Sequence, residues 1–127
     1  SRPNRLMRFE GLFRSMEESN TVNNAQKIRH ARQKVTDLTA HSPVRRLELV
    51  MLRIYPRRMV YSEQYVGPVA AACGRDETGI VGVILWNEQI KRVNVGDILV
   101  IESGWCREKN GELVVSTGKN GRLFVLR

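Results

Sequence analysis

Asp76-Glu77-Thr78-Gly79-Ile80-Val81-Gly82-Val83-Ile84-Leu85-Trp86 is the stretch on which the fold turns. A polar tetrapeptide closes on glycine and hands over to an apolar run that ends in an aromatic. A short link with a closing Gly marks a hairpin, so Ile80 to Trp86 is expected to return along the strand before it. Alternation along a strand puts Val81, Val83 and Leu85 on one face and Ile80, Gly82, Ile84 and Trp86 on the other.

Working toward the N-terminus, Val66 to Gly74 reads as the preceding strand. Pro56 to Gln64 reads as a basic loop, with Tyr61 inside it and Tyr65 just beyond. Val44 to Tyr55 reads as the first strand. Leu47, Leu49 and Met51 alternate there, and Leu52 and Ile54 continue out of phase. Such a phase shift predicts a bulge, the device by which small barrels bend a strand round a corner. Working toward the C-terminus, Asn87 to Val95 is polar with room for one helical turn, and Gly96-Asp97 turns the chain. Ile98 to Arg107 is a fourth strand, Asn110-Gly111 a strong hairpin signal, and Leu113 to Thr117 a fifth strand. Gly118 to Gly121 turns again before a terminal extension, Leu123 to Leu126. The expectation is a mainly β protein, a small closed barrel of five strands.

The first 34 residues have a different texture. Leu6, Phe9, Phe13 and Met16 recur at helical spacing, and Thr21 suits the cap of a second helix. Ala25, Ile28, Ala31 and Val35 form a weaker stripe. Residues 1–34 are therefore expected as a helical extension and residues 35–127 as the β domain, with Asp37 to Pro43 as a linker. The Leu6, Phe9, Phe13 and Met16 stripe must be covered, either by its own domain or by a protein partner or second copy.

The chain has 127 residues and a formal net charge of +8. Eight basic and four acidic residues lie before His41, so half of the excess is in the first 40 residues. A basic balance suits a polyanionic partner, because cations release counterions from a phosphate backbone; ordinary solubility explains it equally. Cys73 and Cys106 lie inside expected strands, with no spacing suited to zinc. His30 and His41 are isolated. No paired acid and base, activated nucleophile or phosphate-cradling loop occurs, so neither enzyme activity nor a cofactor is expected. No apolar run approaches membrane length, and no signal peptide is recognisable.

The ordered series Asp76-Glu77-Thr78-Gly79, Leu85-Trp86, Gly96-Asp97, Ile101, Gly104-Trp105, Gly111, Thr117-Gly118 resembles the OB-fold of archaeal replication protein A. It also resembles the short single-stranded-DNA-binding proteins of archaea and their animal counterparts. The resemblance spans roughly Val35 to Leu126. It implies sequence-tolerant binding of single-stranded DNA along the face of the second and third barrel strands. On this pattern Trp86 matches a stacking aromatic at the end of strand three. Trp105 matches the aromatic after Gly on strand four. The chain departs from the pattern at Lys109 and Ser116, where family members often carry further aromatics.

The candidate nucleic-acid contacts are therefore Trp86 and Trp105, with Arg107 two residues beyond on the same face and Lys109 after it. Arg57 and Arg58 in the first loop, Lys91 and Arg92 in the short link, and Lys119 and Arg122 after the last hairpin add cations around the groove. Gly82, on the Trp86 face, reads as room for a base to approach. Tyr65 and Tyr61 read as loop tyrosines that pack on the barrel or add stacking. The expected function is non-catalytic binding of single-stranded DNA in replication, recombination or repair. Two alternatives stay open: a structural OB subunit of a protein complex, and RNA binding by the same face. The expected setting is intracellular: cytoplasm or nucleoid in an archaeon, nucleus in a eukaryote.

Overall fold

The computed structural model describes residues 31–127. A 3-10 turn spans Val35–Asp37. Seven strands follow: β1 Ser42–Ile54, β2 Arg58–Tyr61, β3 Val66–Arg75, β4 Ile80–Trp86, β5 Ile98–Lys109, β6 Glu112–Ser116 and β7 Arg122–Leu126. One short helix, α1 Glu88–Arg92, lies between β4 and β5.

Five strands pair in a closed circuit, β1–β3–β4–β6–β5 and back to β1. All of these contacts are antiparallel except β4 with β6, which is parallel. β1 closes the circuit by serving two partners. It pairs with β5 from Ser42↔Cys106 to Val50↔Ile98, then with β3 from Val50↔Arg75 to Ile54↔Ala72. The register shifts between Met51 and Arg53, at the phase change seen in the sequence. A bulge there lets one strand belong to two sides of the circuit. β2 and β7 are additions, β2 on β3 and β7 on β5.

The interior holds Leu47, Leu49 and Met51 of β1, Val83 and Leu85 of β4, Leu99 and Ile101 of β5, and Val115 of β6, all at most 1% exposed. Burying side chains of this kind supplies about 1.5–3 kcal/mol each. Val35 and Leu38 join this core beside the turn that begins β4, and Val93 and half-buried Ile90 join it from the segment that follows β4. The β5–β6 hairpin has Asn110 at φ 53° and Gly111 at φ 81°, the paired left-handed conformation that a two-residue loop needs.

The strand limits expected from sequence hold to within two residues, Ile80–Trp86 at both ends. β2 is the strand that pattern reading treated as loop. It has four residues, of which Val60 alone is partly buried, so it carries no alternation to detect. The expected helices, with Leu6, Phe9, Phe13 and Met16, lie outside the described residues. Arg32, Gln33 and Lys34 are described and are not helical. Gln33 bridges to Leu47, and its amide donates to the Arg46 carbonyl at 2.7 Å.

A network of buried charge fixes this segment to the sheet. Arg32 donates to Glu77 through both terminal nitrogens, at 2.8 and 2.6 Å, and lies 3.8 Å from Asp76 and 3.9 Å from Glu48. Glu48 accepts from Arg46 at 3.0 Å, Arg46 donates to Glu102 at 2.8 Å, and Glu102 accepts from Arg122 at 2.6 Å. Asp76 is fully buried. One of its oxygens accepts from the Thr78 amide and hydroxyl and the Gly79 amide; the other accepts from the Val35 amide at 2.8 Å. Asp76 and Glu77 do form the expected hairpin turn, and they also hold a segment about 40 residues earlier in the chain. The Arg32 guanidinium holds the Glu77 carboxyl below its usual range, against the opposing effect of partial burial.

Candidate nucleic-acid interface

The outward side chains of β3, β4, β6 and β5 form one continuous face. Its cross-strand rows follow from the register. Val69 lies opposite Trp86, Ala71 opposite Ile84, Cys73 opposite Gly82 and Arg75 opposite Ile80. Gly82 is level with Val114 on β6, and Val114 lies opposite Arg107 on β5. One step further along these strands, Ile84 comes level with Ser116, which pairs with Trp105. Trp86 and Trp105 thus share a face, on strands two spacings or about 10 Å apart, with Trp86 two residues further along, just past the end of β6.

Trp86 is half-buried. Tyr65 meets it edge to face, with ring centroids 4.8 Å apart and planes at 84°, a favoured aromatic geometry. The Tyr65 hydroxyl donates to the Pro68 carbonyl at 2.8 Å. Gly67 lies under the Tyr65 ring, where a Cβ would stand 2.7 Å from the hydroxyl oxygen. Tyr65 is therefore seated on the β sheet, the packing reading of the two offered by sequence, while Tyr61 is 75% exposed. The Trp86 amide donates to Gln89 Oε1, and Gln89 Nε2 donates to Thr117 Oγ1, each at 3.0 Å. These bonds tie the start of α1 to the ends of both β4 and β6. The Trp86 indole Nε1 is buried with no hydrogen-bond partner among the described residues.

Trp105 is 38% exposed, flanked across the sheet by Pro43 and Ser116. Alternation leaves Trp105 and Arg107 outside while Cys106 is buried in the core. Burial pushes the Cys106 thiol up in pKa, so it is a packing residue. Gly104 permits the close approach of β5 and β6 here, since a Cβ would lie 2.5 Å from the Ser116 carbonyl oxygen.

Gly82 has a structural explanation different from the expected one. A Cβ at Gly82 would meet Val114 Cγ2 at 3.2 Å. The space is occupied by β6, so it is not room for a base.

The cations divide into groups. Arg58 belongs to the Trp86 face, in the row Arg58–Val69–Trp86, and Arg107 belongs to the Trp105 end. Both are exposed, as are Arg57 just before β2 and Lys109 at the end of β5, opposite Glu112. Lys119 is exposed in the β6–β7 turn. Arg122 is exposed but its guanidinium is engaged by Glu102. Lys91 lies 3.9 Å from Glu88. With Arg92 it lines a groove of about 390 Å³ bounded by Leu123, Phe124, Val125 and Arg127. Sequence alternation put Ile84 on the Trp86 face, but not its neighbours Ala71 and Val114, nor Val69, which lies under this face at 5% exposure. Alternation marks an outward face, but it takes strand order to show which residues of different strands adjoin.

Among the described residues, no helix is long and apolar enough to cross a membrane, and no group of three or more His, Cys, Asp or Glu residues could hold a metal ion.

No protein-family model matches this sequence, and no curated protein matches it. Solved structures do. The OB domain of Ta0387 from Thermoplasma acidophilum superposes with a TM-score of 0.64 at 18% identity, covering 76% of this chain and 87% of that one. The replication factor A related protein of Methanobacterium thermoautotrophicum gives 0.63 at 20% identity, over 76% and 92%. A third, Pot1pC of Schizosaccharomyces pombe solved bound to single-stranded DNA, gives 0.53 at 12% identity, over 76% and 87%. The protein is an OB-fold protein. Its structural neighbours include archaeal proteins related to replication protein A.

Proposed function

We propose that this protein binds single-stranded DNA, without catalysis, on the outward face of β3, β4, β6 and β5. The observation that carries the reading is the shared face of Trp86 and Trp105, with the apolar Ile84 beside Trp86 on β4 and level with Trp105, and Arg58 and Arg107 at its two sides. Aromatic side chains stack on any base, at about 1–3 kcal/mol each, and cations track the phosphates. The strip between the tryptophans offers bases apolar contact and one hydroxyl, that of Ser116, only 7% exposed. Such a surface has little with which to tell bases apart, in keeping with sequence-tolerant binding. A neighbour solved with single-stranded DNA is consistent with this use of the fold, though OB folds serve many functions. The setting proposed is replication, recombination or repair, wherever in the cell the DNA is held.

A second reading is a structural OB subunit that assembles a complex and binds nucleic acid weakly. The exposed apolar side chains Met59, Tyr61 and Val66 favour it. Titration with oligo-dT, followed by tryptophan fluorescence at low and moderate salt, separates the two. Quenching with an affinity that falls steeply as salt rises supports DNA binding. No quenching and no binding at low salt eliminates it. A parallel titration with oligo-U tests RNA binding by the same face.

A further inference from the structure

β1 and β2 follow one another along a single edge of β3, the edge turned away from β4. Arg53 lies opposite Cys73, and Arg58 lies opposite Val69. Between these pairs the Tyr55 amide donates to the Ala71 carbonyl at 2.8 Å, so the ladder runs on past Ile54, the last residue of β1. Cys73, Ala71 and Val69 alternate along β3, on the side that continues across the next ladder to Gly82, Ile84 and Trp86. Arg53, Tyr55 and Arg58 therefore belong to the same outward face as the two tryptophans. All three are exposed among the described residues, Tyr55 at 48%. Neither Tyr55 nor Arg53 stood out in the sequence, because only the pairing with β3 places them on this face.

We propose that Tyr55 is a third base-stacking position on this face and Arg53 a phosphate contact beside it, so that single-stranded DNA crosses the sheet from β5 to the line of β1 and β2. The inference rests on the DNA-binding reading above and extends its footprint beyond β3. Counted along the sheet, Tyr55 lies in the row of Ile84, two strand spacings or about 10 Å from β4. Trp105 lies in that row at the same spacing on the other side. Trp86 is on β4 itself, so a strand that runs from Trp105 past Trp86 meets Tyr55 next. The residue between Tyr55 and Ile84 in the row is Ala71, exposed and too small to wall off the ring. Arg53 and Arg58 flank Tyr55, as Arg107 and Lys109 follow Trp105 on β5. Rings interleaved with cations suit a strand whose bases stack while its phosphates meet charge. The Tyr55 backbone is also set before DNA arrives. Pro56 keeps the residue before it extended, and the bond to Ala71 ties that residue to the sheet, so little order is lost to binding.

The experiment is an oligo-dT titration followed by tryptophan fluorescence at several salt concentrations, with a melting curve for each variant. Tyr55→Ala is expected to raise Kd about fivefold or more. Tyr55→Phe keeps the ring and binds as wild type, whereas Tyr55→Leu, apolar without a ring, falls with Tyr55→Ala. Both tryptophans remain in these variants, so quenching at saturation stays as large as in wild type; a Tyr55 that only braced Trp86 would change it. Arg53→Ala lowers the slope of log Kd against log salt by about one, and Tyr55→Ala leaves the slope unchanged. Both side chains are exposed, so the Tm moves little. A wild type that binds no oligo-dT overturns the DNA reading and this inference together. A wild type that binds, is weakened by Trp86→Ala or Trp105→Ala and is unmoved by Tyr55→Ala and Arg53→Ala keeps the reading and overturns the inference alone. So does a loss in Tyr55→Ala that Tyr55→Phe shares or that follows a fall in Tm.

Discussion

Arg32 and Glu77, 45 residues apart in sequence, meet through two hydrogen bonds of 2.8 and 2.6 Å. The Arg32 side chain is 1% exposed, and the fully buried Glu48 and Asp76 carboxylates lie within 4 Å of it. Removing one member of a buried set leaves the others uncompensated, which costs about 3–5 kcal/mol. Arg32→Ala is expected to lower stability by that amount in urea unfolding, far more than Arg57→Ala, whose side chain is exposed.

The same pair sets an acid limit. The Glu77 carboxyl is held below the ordinary value of 4.5, chiefly by its hydrogen bonds with Arg32. A carboxylate whose folded pKa is lowered contributes stability in full above its unfolded value, and loses it as pH falls through the folded one. Stability should therefore drop below about pH 4.5, with a shallower drop in Glu77→Gln. Chemical denaturation from pH 7 to 3 checks this; equal slopes in the two proteins would refute it.

Trp86 and Trp105 should both matter to DNA binding, but differently to folding. Loss of one stacking side chain is worth about 1–3 kcal/mol, or roughly 5–150-fold in Kd to oligo-dT. Trp105→Ala removes a side chain that is 38% exposed and should leave thermal stability nearly unchanged. Trp86→Ala also strips Tyr65 of its edge-to-face partner and should lower the Tm by several degrees. Oligo-dT titration and melting of the same variants separate the effects.

The arginines should divide in the same way. Arg58 is exposed, in the row with Trp86, so Arg58→Ala should weaken oligo-dT binding and reduce the salt slope by about one. Arg122 is engaged by Glu102, itself 8% exposed and also held by Arg46. Arg122→Ala should act mainly on stability. Affinity measured at several salt concentrations, alongside urea unfolding, tests the division.

Gly104→Ala should be among the most damaging small substitutions. Its Cβ would stand 2.5 Å from the Ser116 carbonyl and 2.8 Å from Ile101 Cγ2, and backbone cannot yield as a flexible side chain does. A loss of about 1–3 kcal/mol is expected. Gly82→Ala, whose nearest neighbour is a valine methyl at 3.2 Å, should cost clearly less in the same assay.

Strand positions along the chain and turn chemistry were legible in the residues because they depend on neighbours in sequence. Alternation over Ile80–Trp86, the Asn110-Gly111 turn and the phase shift after Met51 each express a local backbone requirement. Trp105 and Arg107 could be placed on an outward face by the same period of two. β2 escaped notice because only one of its four residues is partly buried. Gly82 was misread because the residue that fills its space, Val114, is on another strand.

The amino-acid pattern alone thus specified a mainly β chain, its five principal strands, the two faces of Ile80–Trp86 and the outward side at Trp105 and Arg107. Those properties follow from backbone geometry and apolar periodicity. The parallel β4–β6 contact, the row joining Ile84, Ser116 and Trp105, the seating of Tyr65 against Trp86, and the clasp of Arg32 on Glu77 belong to the tertiary structure. Each joins residues from separate strands or loops, and no local preference of either partner encodes the meeting. Closure of the sheet is what brings them together.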